Sequence, residues 1–345
     1  MKWARICALL ALLVFSLMFP LLFPNPAITS MAVFTLLFAC AATAWNLFSG
    51  YTGYISLGYG TFYGIGAYAL ALLCRSWNIP GGYVPFMLVP LAGLIAALFA
   101  IPIGWLSLRT RRHAFVVITI ASLFIFQLLA YNLIAITNGS AGVLLPTPPW
   151  SGDFYNQPFY YVSLALVLLS IGTSWWIRNS KYGLGLLAIR DDEDRVLGLG
   201  VKTSTYKLVA FVIAAFYAAM VGAVMIYFIG TVFPAVAFDP TFDIIPALMA
   251  FAGGVGTLIG PVFGALFLEP VQQYLVLEFG PVGLDLLLFG ALLLAVLFFL
   301  PQGIIPTLRQ LWFSWQLSRA NAKPVPDSKG KEKGVLLEGG TGRKG

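Results

Sequence analysis

Hydrophobic residues dominate this chain in long continuous stretches that short polar stretches separate. Nine apolar segments cover roughly residues 6–24, 28–49, 53–74, 83–108, 114–136, 159–177, 207–230, 243–268 and 283–300. Most of them reach the length of about 20 residues that a helix needs to cross a hydrocarbon core about 30 Å thick. Because the runs are continuous and do not alternate with polar residues, they predict membrane-spanning helices and not barrel strands.

The composition supports an all-α integral membrane protein. Of the 345 residues, 60% are hydrophobic and 10% are charged, whereas a soluble domain carries about a quarter charged residues. The net charge of +7 does not indicate nucleic-acid binding, because the basic residues cluster in short loops and at the C-terminus. The three cysteines lie in or beside apolar runs without CxxC spacing, which predicts neither a disulfide framework nor a zinc site.

The basic residues also predict the topology of a multi-pass protein. The basic start at Lys2 lacks a following cleavage site, so we interpret residues 6–24 as a retained first span with a cytoplasmic N-terminus. The basic stretches 109–113 and 178–206 are expected inside, whereas 137–158 and 230–242 contain no Lys or Arg and are expected outside. The C-terminal tail is basic as well, so both termini are predicted to be cytoplasmic.

Two cytoplasmic termini require an even number of crossings, and nine segments do not satisfy this. The segment 243–268 is interrupted by "GGVG" and again by "GP". It represents either two short crossings, which gives ten spans, or a re-entrant hairpin, which gives eight. Non-helical backbone at membrane depth is tolerated only inside protein or beside a watery cavity. We therefore expect about ten spans with broken or re-entrant segments, and a translocation-path element at 243–268.

A second glycine-rich stretch lies near the N-terminus. "NLFSGYTGYISLGYGTFYGIGAY" (46–68) does not follow the GxxxxGK[ST] pattern of a nucleotide loop. Its part 56–64 and the stretch 257–264 each show a hydroxyl residue, a glycine and then Phe before Gly. Paired glycine interruptions in two halves point to a transporter's substrate route, although small residues also simply let helices pack closely. The weakly supported path candidates are Ser56, Gly58, Gly254, Gly256, Thr257 and Gly260.

The residue types expected of an enzyme are scarce. The single histidine, His113, lies beside a basic loop, and no metal-ligand cluster is evident, so we predict no catalytic or metal site. Ion-coupled carriers usually place acids within their spans. Here the acids near late segments are expected at the interface, which favours energy from a partner over an ion gradient. These acids are Asp239, Asp243, Glu269, Glu278 and Asp285.

The long cytoplasmic loop contains a predicted short helix. The stretch "AIRDDEDRVLGLGV" (188–201) begins with Asp residues suited to capping, places acids in the first turn and ends at Gly200. The helix would be amphipathic. It could dock into a groove on a soluble partner or lie on the membrane surface.

Several motifs in order resemble one family. The stretch 46–68 is similar to the N-L-x-x-G-x-x-G-x-x-S-L-G-H-x-x-F-x-G-I-G-A-Y stretch of LivM-type permeases of branched-chain amino acid ABC importers. The later pieces follow in the family's order, from about residue 40 to 306: "RHAFVVITIASLF" (112–124), "TNGSAGV" (137–143), "KYGLGLLAIRDDEDRVLGLGVKTSTYKLVAF" (181–211), "AFAGGVGTLIGPVFGA" (250–265) and "LPQGI" (300–304). The chain departs from the pattern at Tyr59, where the family has His, and after Glu193, where it usually has small residues.

The resemblance implies a polytopic helical permease in the plasma (inner) membrane of a bacterium or archaeon. It implies a second homologous permease subunit, two cytoplasmic ATP-binding subunits, an extracytoplasmic solute-binding protein and surrounding membrane lipid. ATP would be bound by the partner ATPases, and this chain would hold no cofactor. The loop at about 178–206 would couple to the ATPases. Its coupling residues would be Arg190, Asp191, Asp192, Glu193 and Gly200.

The expected organisation is a permease domain over residues 1–308 and a disordered basic cytoplasmic tail over 309–345. The resemblance favours translocation of branched-chain or related hydrophobic amino acids. Two alternatives remain open from the sequence: a permease of a urea or short-chain amide ABC importer, and a self-contained secondary carrier or channel.

Overall fold

A computed structural model describes residues 2–150, 152–280, 284–300, 303–308 and 310. The chain divides into two compact units, residues 1–306 and residues 307–345. The first unit contains the helices and strands described below. The predicted tail after residue 308 lies, apart from residue 310, outside the described residues.

The described part of the chain is almost entirely helical. Its helices are α1 (Lys2–Leu22), α2 (Pro26–Trp45), α3 (Tyr59–Ser76), α4 (Val84–Ser107), α5 (Arg112–Asn132), α6 (Ile134–Thr137), α7 (Asn156–Arg178), α8 (Lys181–Asp191), α9 (Glu193–Gly198), α10 (Thr203–Ile229), α11 (Pro234–Ala237), α12 (Thr241–Gly253), α13 (Gly260–Phe279) and α14 (Asp285–Phe299). A π-helix, Asn46–Gly50, extends α2, and two short strands, β1 (Val143–Leu144) and β2 (Thr231–Val232), complete the fold.

Helix α10 forms the centre of the bundle. Within its apolar span 78% of the residues are buried, against 28% in α4 and 22% in α5. A helix that is apolar all round and buried on most sides belongs to the interior of a helical membrane protein. Helices α4 and α5 therefore present most of their apolar surface outward, to lipid or to another subunit.

Glycines bring α3 and α10 unusually close. A Cβ on Gly66 would lie 2.1 Å from the carbonyl oxygen of Ala219, and one on Gly222 would lie 2.1 Å from the carbonyl oxygen of Tyr63. Small residues permit such contact between backbones in membrane bundles. Of the glycines in the 46–68 stretch, Gly66 thus allows close helix packing, which was the alternative to a role in the substrate route.

The polar loops meet at two ends of the bundle. Strands β1 and β2 pair antiparallel, with Val143 opposite Val232, and so join the two loops that lack Lys and Arg. At the other end, the guanidinium of Arg112 donates to the carbonyl oxygen of Arg190 at 3.3 Å, which joins the two basic loops. The grouping of loops agrees with the predicted topology, in which each pair shares one side of the membrane.

Six helical segments of the described part are long and apolar enough to cross a membrane. They are Pro26–Gly50, Val84–Ser107, Arg112–Asn132, Asn156–Arg178, Thr203–Ile229 and Pro234–Gly253. Together with the further apolar helices of the bundle, they establish a polytopic, multi-pass membrane protein.

The interrupted segment 243–268 is a hairpin of two helices. A Cβ on Gly253 would lie 1.7 Å from the carbonyl oxygen of Gly260, and one on Gly264 would lie 1.9 Å from that of Met249. This pairing makes α12 and α13 antiparallel, with their turn at residues 254–259. Helix α12 has 13 residues and is therefore only about 20 Å long.

In the first glycine-rich stretch, helix α3 begins later than the apolar pattern suggests. The segment 53–74 was predicted as one helix, but α3 begins only at Tyr59 and residues 53–58 are not helical. The cause is local, because Gly53 has a φ of +72° and side-chain hydroxyls take over the backbone hydrogen bonds that a helix would make.

Candidate functional site

Two interruptions of helical backbone and one polar loop converge at one end of the bundle. We call residues 46–58, between α2 and α3, the first break, and residues 254–259, between α12 and α13, the second break. The coupling loop comprises residues 179–202, with α8 and α9.

The first break is stabilised by hydroxyl groups inside the protein. Thr52 donates to the carbonyl oxygen of Phe48 at 2.8 Å and accepts from the amide of Tyr54. The amide of Ser56 donates to the Ser49 hydroxyl at 3.2 Å. Backbone groups released by a helix break in a membrane must be satisfied by protein in this way.

The second break is a tight turn that satisfies itself. Gly254 has a φ of +117° and Gly256 a φ of +78°, which favour glycine over residues with a side chain. The hydroxyl of Thr257 donates to the carbonyl oxygen of Gly254 at 2.7 Å and accepts from the amide of Gly260 at 3.1 Å. The Thr257 hydroxyl is therefore fully used by its own turn.

One side chain joins the two breaks. The side-chain oxygen of Asn46 accepts from the amide of Gly256 at 2.7 Å, and its amide nitrogen donates to the carbonyl oxygen of Thr257 at 2.9 Å. Asn46 itself is fully buried. The two breaks, which are more than 200 residues apart in sequence, thus form a single unit inside the bundle.

Two arginines attach this unit to the coupling loop. Arg190, at the end of α8, donates from Nη1 to the carbonyl oxygen of Gly50 at 2.7 Å, and its stem packs against Gly53. Arg178, at the end of α7, donates to the carbonyl oxygen of Gly256 at 2.9 Å. Each arginine therefore holds a backbone oxygen that the broken helices leave free.

Glu193 makes a second attachment between the loop and the first break. Tyr54 donates from its hydroxyl to Oε2 of Glu193 at 2.6 Å, and Lys207 donates to Oε1 at 2.5 Å. The Lys207 side chain is 3% exposed and lies over the Tyr54 ring, 4.2 Å from its centroid. A buried, paired lysine of this kind holds the carboxylate more firmly than a surface ion pair would.

The environment keeps Glu193 ionised. Burial raises the pKa of its carboxyl, but the hydrogen bonds from Lys207 and Tyr54 together outweigh burial and leave the pKa below the ordinary glutamate value. Glu193 is consequently a carboxylate at neutral pH. A charge is thus present at the point where α9 meets the first break.

The predicted helix of the coupling loop is present in a shorter form. Asp192 caps α9 by accepting from the amide of Arg195 at 3.1 Å, and Gly200, with a φ of +81°, follows its end. Residues 188–191, which were assigned to the same helix, instead end the preceding helix α8. Asp191 is exposed, and the pair of Asp192 with Arg195 lies at the surface, where ion pairs contribute about 0–1 kcal/mol.

The loop exposes apolar side chains at this end of the bundle. Leu184 is 65% exposed, Leu197 50% and Leu199 82%, while Val196 packs inward. The outward side of the coupling loop thus carries these exposed leucines beside the exposed Asp191, Asp194 and Arg195. Such a face suits the groove of another subunit.

The path candidates of the first break differ in their surroundings. Ser56 is fully buried and its hydroxyl has no partner, whereas Gly58 allows close packing, since a Cβ there would lie 2.6 Å from the carbonyl oxygen of Thr119. At the second break, Gly260 lies equally close to the backbone of Gly254. The role of these residues in a substrate path stays a prediction.

Two of the acids near the late apolar segments are buried within the bundle. Asp243 in α12 is 2% exposed and Glu269 in α13 is 1% exposed. Glu278 is exposed and Asp239 partly exposed, as an interfacial position requires, and the side chain of Asp285 is outside the described residues. The charge pattern alone does not show that these two acids are buried, because their burial depends on how α12 and α13 pack.

His113 is exposed at the start of α5. Groups of three or more His, Cys, Asp or Glu residues that could hold a metal ion do not occur in the described part of the chain. Cys7, Cys40 and Cys74 are unpaired.

The sequence as a whole is similar to known membrane permeases. It is 27% identical over 327 residues to the high-affinity branched-chain amino acid transport system permease protein LivM of Salmonella typhimurium. This alignment covers 87% of this chain and 75% of that protein. LivM of Escherichia coli matches with the same identity and coverage. LivH of Salmonella typhimurium is 26% identical over 288 residues, covering 78% of this chain and 91% of that protein. No solved structure matches.

The family match extends across both breaks and the coupling loop. The model of the family described as "Branched-chain amino acid transport system / permease component" matches residues 27–297. This range runs from α2 to α14 and covers most of the chain. On that match, the chain belongs to the branched-chain amino acid transport system permease family.

Proposed function

We propose that this chain is a membrane-spanning permease subunit of an ATP-binding cassette importer. It would translocate branched-chain or related hydrophobic amino acids across the plasma membrane, with separate subunits hydrolysing ATP. The family and the relatives' names support this function. They give no support to the urea or amide alternative, nor to a self-contained carrier or channel.

The observation that carries the mechanism is the attachment of the coupling loop to the first break and, through Asn46, to the second. Arg190 holds the Gly50 carbonyl, Glu193 holds Tyr54, and Asn46 joins the first break to the second. A displacement of α9 by an ATPase would therefore be transmitted to the start of α3 without passing through a flexible segment. Hydrogen bonds to charged groups contribute about 1.5–3 kcal/mol each, enough to keep the loop and the first break together.

The exposed surfaces of the chain suggest where each partner would bind. We propose that two cytoplasmic ATP-binding subunits dock on the apolar face formed by Leu184, Leu197 and Leu199. A second homologous permease would cover part of the outward faces of α4 and α5, with membrane lipid covering the remainder. An extracytoplasmic solute-binding protein would deliver the substrate at the opposite end, where β1 and β2 join the loops. In this orientation both termini are cytoplasmic.

Reconstitution tests the proposal. The chain is co-expressed with a candidate second permease and two candidate ATPases from the same genome, and the complex is placed in proteoliposomes with the solute-binding protein. We expect leucine, isoleucine or valine uptake that requires ATP and all subunits. Uptake by this chain alone under a proton or sodium gradient would contradict the proposal, as would the absence of ATP-dependent uptake by the complete complex.

A further inference from the structure

Asp243 is a buried carboxylate with one unused oxygen. It lies in the first turn of α12, is 2% exposed, and its Oδ1 accepts from the amide of Gly60 at 2.9 Å. Its Oδ2 is buried as well and has no hydrogen-bond partner among the described residues. An acid in the interior of a membrane bundle is costly and generally serves a function.

The contact with Gly60 accounts for only one of the two carboxyl oxygens of Asp243. Gly60 is in the first turn of α3, where unpaired amides and the helix dipole favour a negative group. A cap of this kind needs a single acceptor oxygen, and asparagine supplies it as well as aspartate does. The second oxygen therefore needs another explanation.

Two phenol hydroxyls on α3 are also without hydrogen-bond partners among the described residues. Tyr59 and Tyr63 are 5% and 3% exposed, and neither hydroxyl has a hydrogen-bond partner in the described structure. Tyr59 is close enough to Asp243 for the two to interact electrostatically. The tyrosines are four residues apart on α3 and so share one helix face, and the Tyr63 ring stacks on Phe242, 4.0 Å between centroids. Buried tyrosine hydroxyls normally find a partner.

An apolar cavity adjoins these groups. It has a volume of about 20 Å³ and is lined by both tyrosines, by Phe242 and by aliphatic side chains that include Leu37, Val221 and Met225. A cavity of this volume holds about one water molecule. The structure is thus closed around this point, and the walls contributed by α2, α3, α10 and α12 must separate to admit a larger group.

We infer that the Asp243 carboxyl group and the hydroxyl of Tyr59 bind the protonated amino group of the amino acid as it passes. The aliphatic side chain enters the adjoining cavity when the walls separate. This inference rests on the proposed function, since it assumes that the cargo carries a primary ammonium group beside an aliphatic chain. An ammonium has three N–H donors and no acceptor, so it can donate both to the unused oxygen of Asp243 and to the Tyr59 hydroxyl.

The first test is Asp243→Asn in the complete importer reconstituted in proteoliposomes. The amide oxygen still caps α3, so complex assembly, melting temperature and stimulation of ATP hydrolysis by the leucine-loaded binding protein should stay near the wild-type values. Leucine uptake per ATP hydrolysed should fall on the order of tenfold, as expected for the loss of a charge-assisted hydrogen bond. The matched control is Glu269→Gln, which neutralises the other buried acid with an unpartnered oxygen and should leave uptake unchanged.

Two results would overturn the inference. One is wild-type uptake by Asp243→Asn. The other is a parallel loss of melting temperature, ATP hydrolysis and uptake, which would make Asp243 a structural cap only. Both differ from failure of the proposed function, in which the wild-type complex itself shows no ATP-dependent amino acid uptake.

A second pair of variants tests the Tyr59 hydroxyl independently of the charge. Tyr59→Phe removes one hydroxyl without a change in ring volume and should reduce uptake per ATP severalfold. Tyr68→Phe is its control, because Tyr68 lies on the same helix and also has a buried, unpartnered hydroxyl but does not line the cavity. Equal uptake by the two variants would remove Tyr59 from the site.

Discussion

The two breaks contain similar residues but use them differently. At the second break, the Thr257 hydroxyl, the Gly254 carbonyl and the Gly260 amide satisfy one another within a turn of six residues. The first break is longer, and among the described residues the hydroxyl of Ser56 within it and that of Tyr59 directly after it have no hydrogen-bond partner. The second break is thus a closed structural turn. The first has polar groups to offer to a substrate and attachments to the coupling loop.

This difference indicates which part of the bundle we expect to move. The π-helix of the first break is fixed to the second break through Asn46, whereas Tyr54 is held by Glu193 of the coupling loop. Between them lies Gly53, whose positive φ marks the turn in the backbone. We therefore expect residues 53–58 to move with α9 while the second break stays in place.

The largest effect is expected from Asn46→Ala, which separates the two breaks. The substitution removes two hydrogen bonds and leaves the Gly256 amide and the Thr257 carbonyl without their partner, at a cost of about 1–3 kcal/mol for each group. The purified complex should unfold at a lower temperature and lose most of its uptake. Asn132→Ala is the control, because Asn132 is exposed and bonds only to its own helix. Equal melting temperatures for the two variants would contradict the joining role of Asn46.

A smaller effect is expected from the two arginines, and it should differ between them. Arg190→Ala removes one of the two attachments between the coupling loop and the first break and leaves the one through Glu193, so uptake should fall on the order of tenfold while ATP hydrolysis continues. Arg178→Ala releases α7 from the second break and should lower the melting temperature more than the ratio of uptake to ATP hydrolysis. The exposed Arg195→Ala serves as control for both. Identical behaviour of the Arg190 and Arg178 variants would remove the distinction between the breaks.

Glu193→Gln should have a moderate effect. The amide keeps the shape of the side chain but leaves the buried Lys207 without a carboxylate, so α9 should dock less firmly. We expect a severalfold weaker association with the ATPase subunits, measured by co-purification at increasing salt. The neighbouring acid offers the control, since Asp194 is exposed and Asp194→Asn should associate as the wild type does.

The smallest effect is a pH dependence of the same contact. Because the pKa of Glu193 is lower in the folded protein than in the unfolded chain, its contribution to stability is fully present above the ordinary glutamate pKa. It is lost as the pH falls through the lower, folded value. Hydrogen-exchange protection of α9, corrected for intrinsic rates, should be constant between pH 8 and pH 6 (about two units above the free glutamate pKa) and decrease only in more acidic buffer. In Glu193→Gln the protection should already be reduced at neutral pH.

The sequence predicts the local parts of this arrangement better than their assembly. Apolar runs and glycines indicate the helices and the break at 254–259, and the Asp192 cap with Gly200 indicates α9, because each depends on neighbouring residues. The contact of Asn46 with Gly256 depends on how α2 packs against the hairpin. The burial of Asp243 likewise depends on how α12 packs against α3, where the Gly60 amide meets it.

Distances between nitroxide labels test most directly whether the first break moves with the coupling loop. Labels replace Ile55 in the first break, Leu197 in α9 and Ile259 in the second break, all partly exposed, in a variant with Cys7→Ser. Between the nucleotide-free and ATP-bound complex, we predict that the distance from residue 55 to 197 stays constant while the distance from 55 to 259 changes. A constant distance from 55 to 259 with a change from 55 to 197 would contradict the account.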